Sequence, residues 1–216
     1  MDAIMKTREA YDKIADIYDR ELWNDHPYDE YIDKFIDLVR GNNILDLGCA
    51  MGSFTKYVAD KGKILDGIDY STNMINIAKD KVSNANFYVM DMLNLDLNKR
   101  YDGVMAINST IHVEKKNMQR LFDSIYDLLK DDGIFFIILQ EGDGEKMVSE
   151  PFDESLEEFV SYYRMLEIEE LFTNCNFQVI ERNKIIRDAE FELGYDQLVY
   201  YLRKKRVNKC QKFQRI

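Results

Sequence analysis

The stretch Asn43 to Gly52, Asn-Ile-Leu-Asp-Leu-Gly-Cys-Ala-Met-Gly, constrains the fold of this chain more than any other. Ile44, Leu45 and Leu47 make a short apolar strand, and Gly48, Ala50 and Gly52 make a turn of small residues. Phe54, Tyr57 and Val58 then form the apolar face of a helix that Gly62 is placed to close. The missing side chain at Gly48 lets a ligand approach the backbone, and the helix N-terminus offers unpaired N–H groups to a carboxylate or phosphate. Asp46 stands two residues before the first glycine.

Two ligand classes fit such a turn. A dinucleotide fingerprint spaces small residues as G-x-G-x-x-G. Taking Gly48 and Ala50 as its first two positions puts Ser53 at the third, a poor fit for close helix–strand packing, and leaves Asp46 without a role. Either way a second acid follows: the buried strand Ile64–Ile68 ends in Asp69, 21 positions after Gly48. There a βαβ unit places the carboxylate that takes both ribose hydroxyls, each charged hydrogen bond being worth roughly 1.5–3 kcal/mol. Ser71 reads as the cap of a helix that turns Met74, Ile75, Ala78 and Val82 inward. Asn86–Met90 is a third strand running into Asp91-Met92, and Tyr101–Ile107 a fourth running into Asn108-Ser-Thr-Ile-His. Glu114–Lys130 reads as an amphipathic helix, and Asp132-Gly133 turns into a fifth strand, Ile134–Leu139. Polar groups at successive strand C-termini match the ligand-binding edge of an open α/β sheet.

The flanks are less regular. Met5 to Leu22 carries Tyr11, Ile14, Ala15, Tyr18 and Leu22 on one helical stripe, and a second helix is expected from Tyr28 to Val39. Trp23 and His26 fall in the loop between, where a substrate pocket can be lined. From Glu141 to Glu158 periodicity lapses and eight acids face Lys146 alone. Such a run is a solvated loop or, more sharply, a lid beside an acceptor pocket whose acids favour a cationic or amine substrate. Met165–Thr173 should be a helix, and Asn176–Arg182 and Gln197–Leu202 the last strands. A net charge of −11 argues against a nucleic-acid-coating surface, although seven basic residues after Leu198 form a tail expected to be solvated. No apolar run approaches the ~20 residues of a membrane span. Cys49, Cys175 and Cys210 form no C-x-x-C pair, so neither a disulfide framework nor a zinc site is expected, and a reducing cytoplasm is.

Asp46-x-Gly48-x-Ala50-x-Gly52 resembles the first motif of the class I S-adenosylmethionine (SAM)-dependent methyltransferases, small-molecule type. Gly67-Ile-Asp-Tyr-Ser-Thr-Asn-Met resembles the second motif, and Asp131-Asp-Gly-Ile-Phe-Phe-Ile the last recognisable one. Tyr11-Asp-Lys-Ile-Ala-Asp-Ile-Tyr-Asp is similar to the N-terminal helix that many of these enzymes fold over the cofactor. The resemblance implies an α/β three-layer sandwich: a seven-stranded, mostly parallel sheet, the last strand antiparallel, helices on both faces. It also implies SAM as cofactor, S-adenosylhomocysteine as product, and a small-molecule acceptor. Asp46 and the backbone of Gly48, Cys49, Ala50 and Asn108 would meet the methionine end, and Asp69 the ribose. Tyr70, Met74, Asp91 and Met92 would surround the adenine, with Tyr11 and Tyr18 covering the ligand. Ala50 stands where the family usually has glycine, which suits a negative φ there. Asn108 lacks the prolines that follow it in nucleobase-methylating enzymes. His112 is a candidate general base or a structural histidine. One domain is expected over 1–216, with a helical cap at 1–40, a cofactor core at 41–140, an acidic insert at 141–163, the rest of the sheet at 164–203 and the basic tail at 204–216. A nicotinamide-dependent oxidoreductase and a SAM-binding protein without transferase activity are the alternatives.

Overall fold

The computed structural model describes residues 3–186 and 195–206. Helices α1 (Ala3–Leu22) and α2 (Asp29–Leu38) precede the sheet. There follow β1 (Asn43–Leu47), α3 (Ser53–Asp60), β2 (Ile64–Asp69), α4 (Thr72–Lys81), β3 (Ala85–Val89) and β4 (Tyr101–Ile107). After a single 3-10 turn at Thr110–His112 come α5 (Lys115–Leu128), β5 (Leu129–Gln140), β6 (Glu145–Glu150), β7 (Asp153–Ser161), α6 (Met165–Asn174), β8 (Phe177–Ile185) and β9 (Gln197–Lys204). Seven strands form one sheet in the order β3-β2-β1-β4-β5-β9-β8. All pairings among the first five are parallel, while β9 runs antiparallel to both β5 and β8. The expected architecture is therefore the observed one, and the strand order reverses between β1 and β4.

Period-2 alternation divides the core between the two faces of the sheet. Leu45, Phe135 and Ile137 pack with Phe122 of α5 and Phe172 of α6. Their strand neighbours Ile44, Phe136 and Ile138 point the other way, to Ile32 and Phe35 of α2 and Val58 of α3. Phe136 stacks between Phe35 and Tyr201, with ring centroids 5.5 and 5.1 Å away. Because both faces are covered, these strands read as continuous apolar runs.

The acidic insert is not a loop. Its residues form a β6–β7 antiparallel hairpin separate from the main sheet. Buried Glu150 fixes its turn by accepting the Phe152 and Asp153 backbone N–H groups at 2.7 and 2.9 Å. α1 lies between this hairpin and α4. On one side Thr7 Oγ1 accepts the Phe159 N–H of β7 at 2.8 Å. On the other, Asp12 accepts from the Ser71 hydroxyl at 2.7 Å and from the Asn73 N–H at 3.2 Å. Trp23, just past α1, is capped by Lys81 Nζ of α4 at 4.3 Å from its ring centroid. Lys204, expected in a solvated tail, is buried in β9, where its ammonium donates to the carbonyls of Tyr126 and Leu129. The tail from 207 lies outside the described residues. Among the described residues no helix is long and apolar enough to cross a membrane.

Candidate functional site

A cavity of about 300 Å³ opens at the C-terminal edge of β1, β2 and β4, under α1 and the hairpin. Twelve of the thirteen residues expected at a site line it: Tyr11, Tyr18, Asp46, Gly48, Cys49, Ala50, Asp69, Tyr70, Asp91, Met92, Asn108 and His112. Met74 does not. It is fully buried against Ala15 and Met51, because the inward face of α4 turns it into the core beneath the turn. Trp23 and His26 also stay off the cavity wall, His26 packing on Phe54 and Tyr57 instead.

The turn after β1 is built by backbone bonds to the neighbouring strand. Gly48 and Cys49 N–H both donate to the Ile68 carbonyl, at 2.8 and 2.9 Å. Gly48 has φ +77, and a Cβ there would sit 2.3 Å from that of Ser109, so this position excludes any side chain. Ser109 is anchored in turn by donating to the Leu47 carbonyl at 2.5 Å. Ala50 departs from the expected negative φ and lies in the left-handed region at +46. In this turn its N–H donates to Asp69 Oδ2, 3.0 Å away.

Asp69 also accepts the Ser71 N–H on Oδ1 at 2.8 Å. Each of its oxygens thus spends one lone pair on the backbone and keeps another, the pattern that suits a vicinal diol. Burial pushes the Asp69 carboxyl up to about 6, against those two bonds and the opposing pull of His112. Asp46 is buried as well and accepts the Thr55 hydroxyl at 2.5 Å. Burial pushes it up to about 7 despite that bond, with the charge of Asp69 adding to the rise. Asp91 is exposed and organises a turn, receiving the Leu93 N–H and the Asn94 amide at 2.8 Å each. Tyr70 has a buried hydroxyl with no hydrogen-bond partner among the described residues, and burial raises it far above its usual value.

At the other end of the cavity Asn108, also left-handed at φ +50, closes a ring of side chains. Its amide donates to Tyr28 Oη at 2.8 Å, Tyr28 to Gln197 at 3.0 Å, and Gln197 back to Asn108 at 2.9 Å. His112 lines the same cavity. Nδ1 lies 2.7 Å from the Phe159 carbonyl oxygen, which only accepts, so Nδ1 carries a hydrogen. Nε2 is 3.0 Å from Tyr11 Oη, which donates to Glu158 Oε2 at 3.0 Å. Thr55 escaped the sequence reading, and Ser109 and Glu158 fell within stretches it named without being singled out. Glu158 is hidden in a charge run, and the other two are hydroxyls whose partners only the fold supplies.

Residues 44–133 match the family model of a methyltransferase domain. The phosphoethanolamine N-methyltransferase of Plasmodium falciparum is 28% identical over 153 residues, which are 66% of this chain and 56% of that protein. The chain thus spans about half the length of the curated relatives it matches. In fold it is similar to the CcbJ methyltransferase of Streptomyces caelestis, with a TM-score of 0.73 at 18% identity over 93% of this chain and 98% of that one. It is likewise similar to the 1,6-didemethyltoxoflavin-N1-methyltransferase of Burkholderia thailandensis, solved with S-adenosylhomocysteine bound. There the TM-score is 0.71 at 20% identity over 94% and 88%. The matching family model does not favour the nicotinamide alternative.

Proposed function

Because residues 44–133 carry a methyltransferase domain on a class I sheet, we propose that this chain binds SAM and transfers its methyl group to a small-molecule acceptor. The observation that carries this reading is the convergence of Asp46, Asp69 and Asp91, from three adjacent strand ends, on one cavity with a side-chain-free turn. Asp69 takes the ribose diol with its two remaining lone pairs. Asp46 and the backbone of Gly48, Cys49 and Ala50 take the methionine end, which Asn108 borders. Tyr70, Asp91 and Met92 surround the adenine, while Tyr11 and Tyr18 of α1 cover the ligand. When bound, the sulfonium of SAM supplies a methyl group open to in-line displacement, the C–S bonding pair returning to sulfur to leave S-adenosylhomocysteine.

The chain supplies alignment, a site shielded from water and a proton acceptor. His112 is the acceptor: Nδ1–H is committed to the Phe159 carbonyl, which leaves Nε2, beside the Tyr11 hydroxyl at the cavity wall, to take the proton. A cationic or amine acceptor agrees with Glu158 beside it and with relatives named for nitrogen methylation. Thermal unfolding with saturating SAM, S-adenosylhomocysteine, NAD or NADP tests the cofactor. A ligand at about 1,000 times its Kd adds about 4 kcal/mol, so a rise with SAM and its product alone is expected. A rise with a nicotinamide would overturn the reading. Release of S-adenosylhomocysteine on adding acceptors then separates a transferase from a SAM-binding protein without activity.

A further inference from the structure

We infer that Asp12, on α1 and outside the cavity, is the positioning residue for Asp69. Through Ser71 it sets the carboxylate that takes the ribose diol, so the diol is held well only when α1 is seated. This rests on the assignment of Asp69 to the ribose. Two observations carry it, one of bonding and one of charge.

Ser71 is fully buried at the start of α4 and gives its two polar hydrogens to carboxylates from different elements. Its N–H goes to Asp69 Oδ1 of β2 at 2.8 Å, and its hydroxyl to Asp12 Oδ1 of α1 at 2.7 Å. The same hydroxyl accepts the Met74 N–H, and Asp12 Oδ1 accepts that of Asn73, each at 3.2 Å. The first turn of α4 is thus capped jointly by its own serine and by a residue 59 positions before that serine. Asn73 adds a further bond, from its side-chain amide to the Asp12 carbonyl at 2.8 Å. Successive helical residues point about 100° apart, so Tyr11 lines the cavity while Asp12 clamps the helix beside it. Without an acceptor at position 12 the buried Ser71 hydroxyl loses its partner, and the residue that fixes Asp69 Oδ1 is released.

The charge of Asp12 acts across Ser71 as well. Burial raises the Asp69 carboxyl most; the Ser71 and Ala50 N–H groups and His112 oppose that rise, and the Asp12 charge adds to it. Asp46 of β1, Cys49 of the turn and Tyr70 are the other titratable groups that Asp69 faces. Asp12 therefore influences Asp69 in two separable ways. Its oxygen holds Ser71 in place, and its charge makes Asp69 harder to ionise. Both bonds from the start of α4 fall on Oδ1, so an asparagine keeps the first influence and removes the second. A residue that only tethered α1 would exert neither at the ribose.

The test is calorimetry on the full chain with two ligands, S-adenosylhomocysteine and its analogue lacking the ribose 2′-hydroxyl. The unaltered protein should prefer the diol by about tenfold or more, the value of one charge-assisted hydrogen bond. Asp12→Ala should weaken S-adenosylhomocysteine about tenfold and the analogue less, narrowing that preference at least about threefold. Asp12→Asn should bring S-adenosylhomocysteine affinity at pH 7.5 back to within about threefold of the unaltered protein. It should also move the acid limb of the binding profile to lower pH, because Asp69 ionises more readily once the neighbouring charge is gone. Unchanged affinity in Asp12→Ala would overturn the inference, and so would an equal loss of both ligands, which is what a tether alone produces. An Asp12→Asn variant no better than the alanine, or one whose pH profile does not move, would overturn it too. Equal binding of the two ligands by the unaltered protein would instead bring down the assignment of Asp69 to the ribose.

Discussion

Ala50 is where a single residue is most at odds with its own preference. At φ +46 its methyl group crowds the following carbonyl, while its N–H donates to Asp69. Ala50→Gly keeps that N–H and removes the crowding, so urea unfolding should show a gain of about 0.5–1 kcal/mol. A loss would mean the strain is absent. The same two bonds that orient Asp69 do not offset its burial. With Asp46 it titrates higher than in the unfolded chain, near 6 and 7 against 3.8. Between about pH 4 and 7 the native state therefore binds more protons than the unfolded one, and these two groups make the free protein less stable as pH rises through that window. Ligands that need both carboxylates charged should follow the opposite course. S-adenosylhomocysteine is expected to bind more tightly from pH 5.5 to 7.5, with little further gain above, when calorimetry is run at each pH. For Asp69→Ala, affinity should fall at least about tenfold, the loss of one charged hydrogen bond or more; an unchanged Kd would remove the ribose role.

Among the elements, those with a strong period were legible and those held by tertiary partners were not. The alternation of Ile44 and Leu45 and the stripe of Met118, Leu121, Phe122 and Ile125 each encode their own burial, and β1 and α5 stand where they read. Ten of the twelve cavity residues were found because strand ends and a glycine turn have fixed places in a parallel sheet, and Tyr11 and Tyr18 through the resemblance of the N-terminal helix. The hairpin was missed because its sequence is dominated by acids. What makes it a hairpin is Glu150 reaching its own turn and Thr7 reaching Phe159, neither of which is a pattern along the chain. Met74 misled for a related reason, since its spacing fits both a cavity wall and a core, and only packing decides. The hairpin's attachment is testable in turn. Thr7→Val leaves the buried Phe159 N–H without its acceptor and should cost about 1–3 kcal/mol in denaturant unfolding. If stability is unchanged, Thr7 does not hold β7. The turn after β1 couples two elements as tightly: Gly48→Ala should disrupt S-adenosylhomocysteine binding, and adding Ser109→Gly should restore part of it.

Taken whole, the molecule has a sheet half and an attached half. Seven strands with helices on both faces form the first; α1 and the hairpin, bonded to each other through Thr7 and joined to the sheet half through Asp12 and the Tyr11–His112 contact, form the second. In that division α1 is bonded to its neighbours through side chains, while the cavity's floor is held by the strand ladder. One element of the attached half is singular. Trp23, the sole tryptophan of the chain, ends α1 with its ring beneath the Lys81 ammonium. Indole emission responds to a nearby cation and to water, so the protein carries its own optical gauge of whether α1 is seated. The colour and brightness of that one ring, followed in a rapid mixer as S-adenosylhomocysteine is added, would report whether α1 stays seated without a dye, a label or a second tryptophan to subtract.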